Sequence, residues 1–167
     1  MRKTFLVATL ASLLSMQANA EENKITSPDG KLVVTVNDDG GQPTYVVDYD
    51  GVRMMTRSML GLVSSHGDFS QGLKLKGVER KDKVTKEYDL TRSKISHIKY
   101  VSSKLDLNYE NADGKGMTIS FSVADNSIAY RYTLHRPKED PIGVYIKEEK
   151  SSFNFPEQTT TFLTPQC

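Results

Sequence analysis

The sequence predicts an all-β protein, an antiparallel β-sandwich, and three observations predict it. Apolar and polar residues alternate with a period of two over runs of strand length. Clusters of Gly, Asp, Asn and Pro separate those runs at short, regular spacing. Beyond residue 20 no stretch repeats its apolar residues at the roughly 3.6-residue period of a helix. The pattern is plainest from Met117 to Leu134. There Met117, Ile119, Phe121 and Val123 alternate with Thr118, Ser120 and Ser122; then Ile128, Tyr130, Tyr132 and Leu134 alternate with Ala129, Arg131 and Thr133. Such alternation sends one set of side chains to a core and the other to water. Ala124-Asp125-Asn126-Ser127 between the runs is a hairpin loop, in which Asp125 and Asn126 can bond their own backbone and take left-handed conformations.

Taken in order, the chain opens with a stretch outside the fold. Arg2 and Lys3 form a positive start, Phe5 to Met16 is mostly apolar, and Ala18-Asn19-Ala20 is a small-residue cleavage site before Glu21. Residues 1–20 therefore read as a secretory signal peptide, which implies a periplasmic or secreted product. The apolar run is shorter than the roughly 20 residues of a spanning helix. No cysteine follows it for lipid attachment. Residues 21–167 are expected to form one domain, large enough to bury about two-thirds of the surface its unfolded chain exposes.

Ser27-Pro28-Asp29-Gly30 gives a turn before a strand at Leu32–Val36, and Asn37-Asp38-Asp39-Gly40-Gly41 gives a turn or short loop. Thr44–Tyr49 places Tyr45, Val47 and Tyr49 on one side, and Asp50-Gly51 turns the chain into Val52–Thr56. Ser58–Val63 is a further apolar run, with Gly61 marking a bulge or a close backbone approach. Ser64–Lys83 is polar and glycine-bearing and reads as a long surface loop with at most a short strand near Leu73–Val78. Val84–Leu90, Ile95–Val101 and Lys104–Tyr109 resume alternation, and Asn111–Gly116 is a turn. Past the hairpin come a charged connection at Arg136–Pro141, a strand at Ile142–Lys147 and the start of a strand at Thr159–Leu163. Thr164-Pro165-Gln166-Cys167 then stops with no closing element, so the domain is expected to be incomplete at its C-terminus.

Charge excludes one class of partner. The whole chain has 22 basic and 21 acidic side chains, and loss of Arg2 and Lys3 with the leader leaves one acid in excess. A near-neutral surface without a basic stripe gives nucleic acid no footprint. Cys167, the one cysteine, can form no internal disulfide, and at a chain terminus it is not read as a nucleophile.

Candidate chemistry is sparse. His66, His97 and His135 lack metal-ligand spacing, and no GxSxG elbow, P-loop or dinucleotide fingerprint is present. Asp38-Asp39-Gly40 and Asp48-Tyr49-Asp50-Gly51 superficially resemble calcium loops. A loop starting at Asp48 needs a bidentate Glu at its twelfth position, where Met59 stands, so these aspartates read as turn residues. Glu148-Glu149 would point to opposite faces of a strand. One of them could look inward if Arg131 or a ligand offset its burial; otherwise the pair is a surface ion pair or solvated edge.

Five fragments fall in a recognisable order: Ser27-Pro28-Asp29-Gly30-Lys31-Leu32; Pro43-Thr44-Tyr45 with Tyr49; Ser58-Met59-Leu60-Gly61-Leu62; Ile128-Ala129-Tyr130-Arg131-Tyr132; and Ile146 to Phe153. With them the chain, over nearly all of residues 23 to 165, resembles the N-terminal domain of glycoside hydrolase family 97. The resemblance implies a β-sandwich of super-sandwich type packed against a catalytic (β/α)₈ barrel of an exported α-glucosidase or α-galactosidase. The barrel carries the acid, the base or nucleophile, and most ligands of an assisting calcium ion; carboxylate separation sets the retaining or inverting course. The family's N-terminal domain adds a calcium-associated acidic residue shortly after the region matching Phe162-Leu163-Thr164-Pro165, where this sequence has ended. No catalytic, cofactor-binding or metal-binding role therefore transfers to any numbered position.

The expected function is that of a non-catalytic sandwich supporting such a barrel and its substrate site, with no hydrolase activity of its own and no calcium held by this chain. The alternative is a freestanding carbohydrate-binding or protein-interaction module. The chain has no Trp to form a sugar platform, but Tyr88, Tyr100 and Tyr145 could stack on α-linked oligosaccharide. A third possibility is a domain that docks through the face a barrel would cover. Mass spectrometry of the exported product should give a chain beginning at Glu21; retention of residues 1–20 in that product would refute the leader.

Overall fold

A computed structural model describes residues 23–92, 94, 96–136 and 143–160, and among them are ten strands and no helix. β1 (Lys24–Thr26), β2 (Leu32–Asp39), β3 (Gln42–Tyr49) and β4 (Val52–Met59) form an antiparallel sheet in chain order. β5 (Leu62–Ser64) follows, and β6 (Lys74–Asp89), β7 (His97–Glu110), β8 (Gly116–Ala124) and β9 (Ser127–Leu134) build a second antiparallel sheet, also in chain order. β10 (Ile146–Glu149) returns to pair with β5. The fold is the all-β antiparallel sandwich read from the sequence.

The two four-stranded sheets close on one core. Ile25, Val34, Val36, Tyr45 and Val47 face Leu105, Leu107, Tyr109, Met117, Ile119, Phe121 and Val123, with Leu60, Phe69 and Leu73 filling in from the connection. Each such side chain contributes about 1.5–3 kcal/mol by leaving water. The predicted hairpin is β8–β9 in the expected register, Phe121 opposite Tyr130 and Ile119 opposite Tyr132. Its turn differs from expectation. Neither Asp125 nor Asn126 takes a positive φ. Asp125 instead accepts a hydrogen bond from the Asp29 N–H at 2.9 Å, tying the hairpin tip to the turn of the first sheet.

Four strand boundaries depart from the sequence reading, the first three for physical reasons. β2 continues through Asn37, Asp38 and Asp39, because Gly40 and Gly41, at φ 67° and 83°, make the two-residue turn that a tight hairpin needs. The stretch read as a loop, Ser64–Lys83, buries Phe69, Ser70 and Leu73 and then enters β6, which runs unbroken to Asp89 past a bulge and a positive φ at Lys83. From Glu79 onward β6 is almost wholly exposed. It pairs with β7 without facing a core, so no apolar alternation announces it. Likewise β7 joins what the sequence split in two, since Ser102 and Ser103 interrupt its pattern while buried at 1% and 4% exposure. The late strand is Ile146–Glu149, four exposed residues rather than Ile142–Lys147. Ile142 and residues 161–167 lie outside the described residues, and Thr159 and Thr160 are not in a strand.

Gly61 is the close approach that the sequence suggested. It sits at φ 136°, and a Cβ there would lie 2.7 Å from both the Phe69 carbonyl oxygen and the Ser70 Cα. Gly61→Ala should therefore destabilise the fold by at least about 2 kcal/mol through backbone strain and overpacking, read as a lower urea midpoint at unchanged slope.

Candidate functional site at the sandwich rim

Four of the five fragments singled out in the sequence meet in space, on the rim where β4 and β9 end their sheets. Residues Lys150 to Asn154 run along the free edge of β4. The Lys150 N–H donates to the Gly61 carbonyl at 2.9 Å, the Ser152 N–H to that of Met59 at 3.0 Å, and the Thr56 N–H to that of Asn154 at 2.8 Å. Side chains reinforce the seam: the Met59 N–H donates to Ser152 Oγ at 2.8 Å, and the Asn154 N–H to Ser58 Oγ at 2.9 Å. An otherwise unpaired strand edge is thus satisfied.

β9 joins this seam through two tyrosines. The Tyr132 hydroxyl accepts from the Gly61 N–H at 2.9 Å and shares a 2.6 Å hydrogen bond with Ser151 Oγ. The Tyr45 hydroxyl, from β3, donates to the Ser152 carbonyl at 3.1 Å. Tyr130 packs against the rings of Tyr45, Phe121, Tyr132 and Phe153, with centroids 5.6–6.1 Å apart. Such pairs add about 0.5–1.5 kcal/mol each beyond the area they bury. Burial, the main cause, pushes the Tyr45 and Tyr132 hydroxyls up to about 12, although the Ser151 and Gly61 bonds pull Tyr132 down.

The strip that completes the rim exposes its own large apolar side chains. Tyr145, Ile146, Phe153 and Phe155 are 50–63% accessible, and Met54 stands exposed at the end of β4 nearest Phe155. Glu148 and Glu149 lie on the same strip, both exposed, so neither is the inward carboxylate considered from the sequence. Glu148 pairs with Lys150. Arg131 faces away, on the outer surface of β9, because it lies between Tyr130 and Tyr132 in the alternation.

The remaining sequence candidates are placed apart from the rim. His66 and His135 do meet, but as clamps: His66 Nε2 lies 3.1 Å from the His135 carbonyl, and His135 Nε2 lies 2.7 Å from Thr118 Oγ1. The Thr118 hydroxyl donates to Asn108 at 2.6 Å, so the His135 Nε2 carries the proton of its bond. His97 pairs with Asp89 at the far end of β6–β7. Asp48 holds Arg53 through both carboxylate oxygens, and Asp50 turns the chain at φ 50°. Asp38 lies in β2 opposite Pro43, Tyr88 is exposed on β6, and Tyr100 lines a groove on the outer face of the second sheet. Cys167 is outside the described residues. Among those described, no three His, Cys, Asp or Glu side chains cluster together. The residues that sequence reasoning underused are Gly61, Ser151 and Tyr132; their signal was the fixed order of the fragments.

Two tyrosines separate a made from an unmade hydrogen bond. Tyr132→Phe orphans the Gly61 N–H and should cost about 1–3 kcal/mol, whereas Tyr109→Phe, losing a buried hydroxyl that has no partner, should be near neutral. Chemical denaturation of both variants checks this. Because the folded Tyr45 and Tyr132 values lie above 10, the stability they confer is complete below pH 10 and falls as pH rises toward 12. Phenolate absorbance during alkaline titration should show both ionising late.

The family model for the glycosyl-hydrolase 97 N-terminal domain matches residues 25–167. A probable retaining α-galactosidase of Streptomyces bingchenggensis is 26% identical over 176 residues, covering 97% of this chain and 26% of that protein. A crystal structure of β-arabinopyranosidase is 40% identical, with a TM-score of 0.78 over 86% of this chain and 23% of that one. A glycoside hydrolase family 97 enzyme from Pseudoalteromonas sp., in complex with acarbose, shares the fold at a TM-score of 0.71 and 17% identity, over 80% of this chain and 20% of that one. The chain thus spans about a quarter of the length of these relatives. The order of the rim fragments, the fold they build and the family match agree: the chain belongs to the glycosyl-hydrolase 97 N-terminal family.

Proposed function

We propose that this chain is the exported, non-catalytic sandwich of a family 97 glycosidase, and that its rim seats a (β/α)₈ catalytic domain. The observation that carries this reading is the strip from Tyr145 to Phe155. Its backbone pairs with β4 and β5, yet Tyr145 and Ile146 at one end and Phe153 and Phe155 at the other stay at least half exposed. Large apolar side chains left exposed on a strip whose backbone is already paired suit packing against another folded body.

The groove on the second sheet and the one beside β1 hold one carboxylate each, Asp106 and Asp82. Glycoside hydrolysis uses two carboxyl groups about 5–9.5 Å apart, and in this reading acid and nucleophile or base belong to the catalytic domain. The relatives point to galactoside-type substrates, since one is named an α-galactosidase and another a β-arabinopyranosidase. Calcium, in this reading, is held outside the described residues. A carbohydrate-binding role has one observation in its favour, the position of Tyr100, and it concerns a different face of the molecule.

The purified chain should show no turnover of aryl α-galactosides, α-glucosides or β-arabinopyranosides. Mixed with the separately expressed catalytic domain of the 40%-identical β-arabinopyranosidase, it should co-elute in gel filtration, and Ile146→Ser with Phe153→Ser should abolish that. Hydrolysis by the chain alone, or co-elution indifferent to the double substitution, would refute the reading.

A further inference from the structure

We propose that the outer face of the second sheet binds an acidic oligosaccharide, one bearing uronate carboxylates. This face carries a groove of about 270 Å³. Its walls are the long side chains of Lys86, Tyr100, Lys104 and Arg131, and its floor is made of short ones from β7, β8 and β9. The strand register explains the shape. Arg131 lies opposite Ser120, which lies opposite Asp106; one step along, Ala129 lies opposite Ser122, which lies opposite Lys104. Small residues on the middle strand leave a trough between long residues on either side. Ser122 donates to Ser102 at 3.0 Å and fixes the floor. Along β7 the trough runs from Tyr100 to Asp106, about 20 Å at strand rise, and across three strands it is about 10 Å wide.

Charge selects the ligand. Lys86, Lys104 and Arg131 have no ion-pair partner among the described residues, whereas Lys76 and Lys99 elsewhere on the sheet are paired with Glu110 and Glu87. Asp106 is the single acid lining the groove, so cations exceed anions there by two. Arg131 can take a carboxylate in bidentate fashion and the lysines supply point charges. Tyr100 offers a ring face for the apolar side of a pyranose, and Asp106 with the serine hydroxyls offers partners for sugar hydroxyls. A simple inorganic anion would use only part of this set. A nucleic-acid strand would meet Asp106 midway and a chain of nearly balanced charge. The inference does not rest on the rim: Ala129 and Arg131 face outward, while Tyr130 and Tyr132 of the same strand pack against the core.

The test is calorimetry of the purified chain with trigalacturonate, its fully methyl-esterified form and sodium sulfate. Saturable binding of trigalacturonate is expected, weakened about tenfold by Lys104→Gln with Arg131→Gln, and weakened likewise by Tyr100→Ala. Affinity should also fall on raising salt to about 0.5 M. Absence of binding, equal binding of the ester, or sulfate binding as tight as the trisaccharide would each overturn the proposal. The ester and sulfate comparisons use the unaltered chain, so they decide the matter even if a variant fails to fold.

Discussion

The structure depends on how β9 is held to the sheet opposite it. An edge strand has one free side, and β9's inward residues, Ile128, Tyr130, Tyr132 and Leu134, are only partly covered by the first sheet. Alternation alone would leave that face half wet. What closes it is a shared hydroxyl: Tyr132 takes the Gly61 N–H and Ser151 on one oxygen, while the Tyr130 ring joins Tyr45 and Phe121 inside to Phe153 outside. Gly61 can present its N–H there because it has no side chain to collide with Phe69 and Ser70. One backbone donor, one phenol and one absent methyl group therefore set the spacing of the two layers at this rim.

How much was legible in the sequence follows from where each segment sits. β2, β3 and β8 bury one face and leave the other half-buried and mostly polar, so their period of two could be read directly. The distal half of β6 and β7 pairs beyond the core, where nothing selects apolar residues, and its register rests on backbone bonds that leave no trace in composition. Phe69 and Leu73 were hidden for the opposite reason: they are isolated apolar residues in a polar stretch, and only the fold shows them reaching the core. The rim was half legible. Its fragments stood out in order, but a tyrosine at a strand position reads as core, and no periodicity reveals that its hydroxyl spans to a glycine 71 residues away.

The two surfaces of functional interest differ in chemistry as well as place. On the rim, the strip is hydrogen-bonded to β4 and its large exposed side chains are apolar; on the outer face of the second sheet, the floor is hydroxylic and the walls carry charge. Both are by-products of β9's alternation, since Tyr130 and Tyr132 serve the first and Arg131 the second. A shift of one residue in the pairing of β8 with β9 would exchange these faces. The hairpin's register thus governs both surfaces at once.

The bond between the Tyr45 hydroxyl and the Ser152 carbonyl joins residues 107 apart in sequence. Closing so long a segment carries a loop-entropy cost, which this bond shares with its neighbours between Ser58 or Met59 and Ser152 or Asn154. Assembly of this domain accordingly depends on non-local pairing, and a chain ending before Ser152 would lose the whole seam that closes β4.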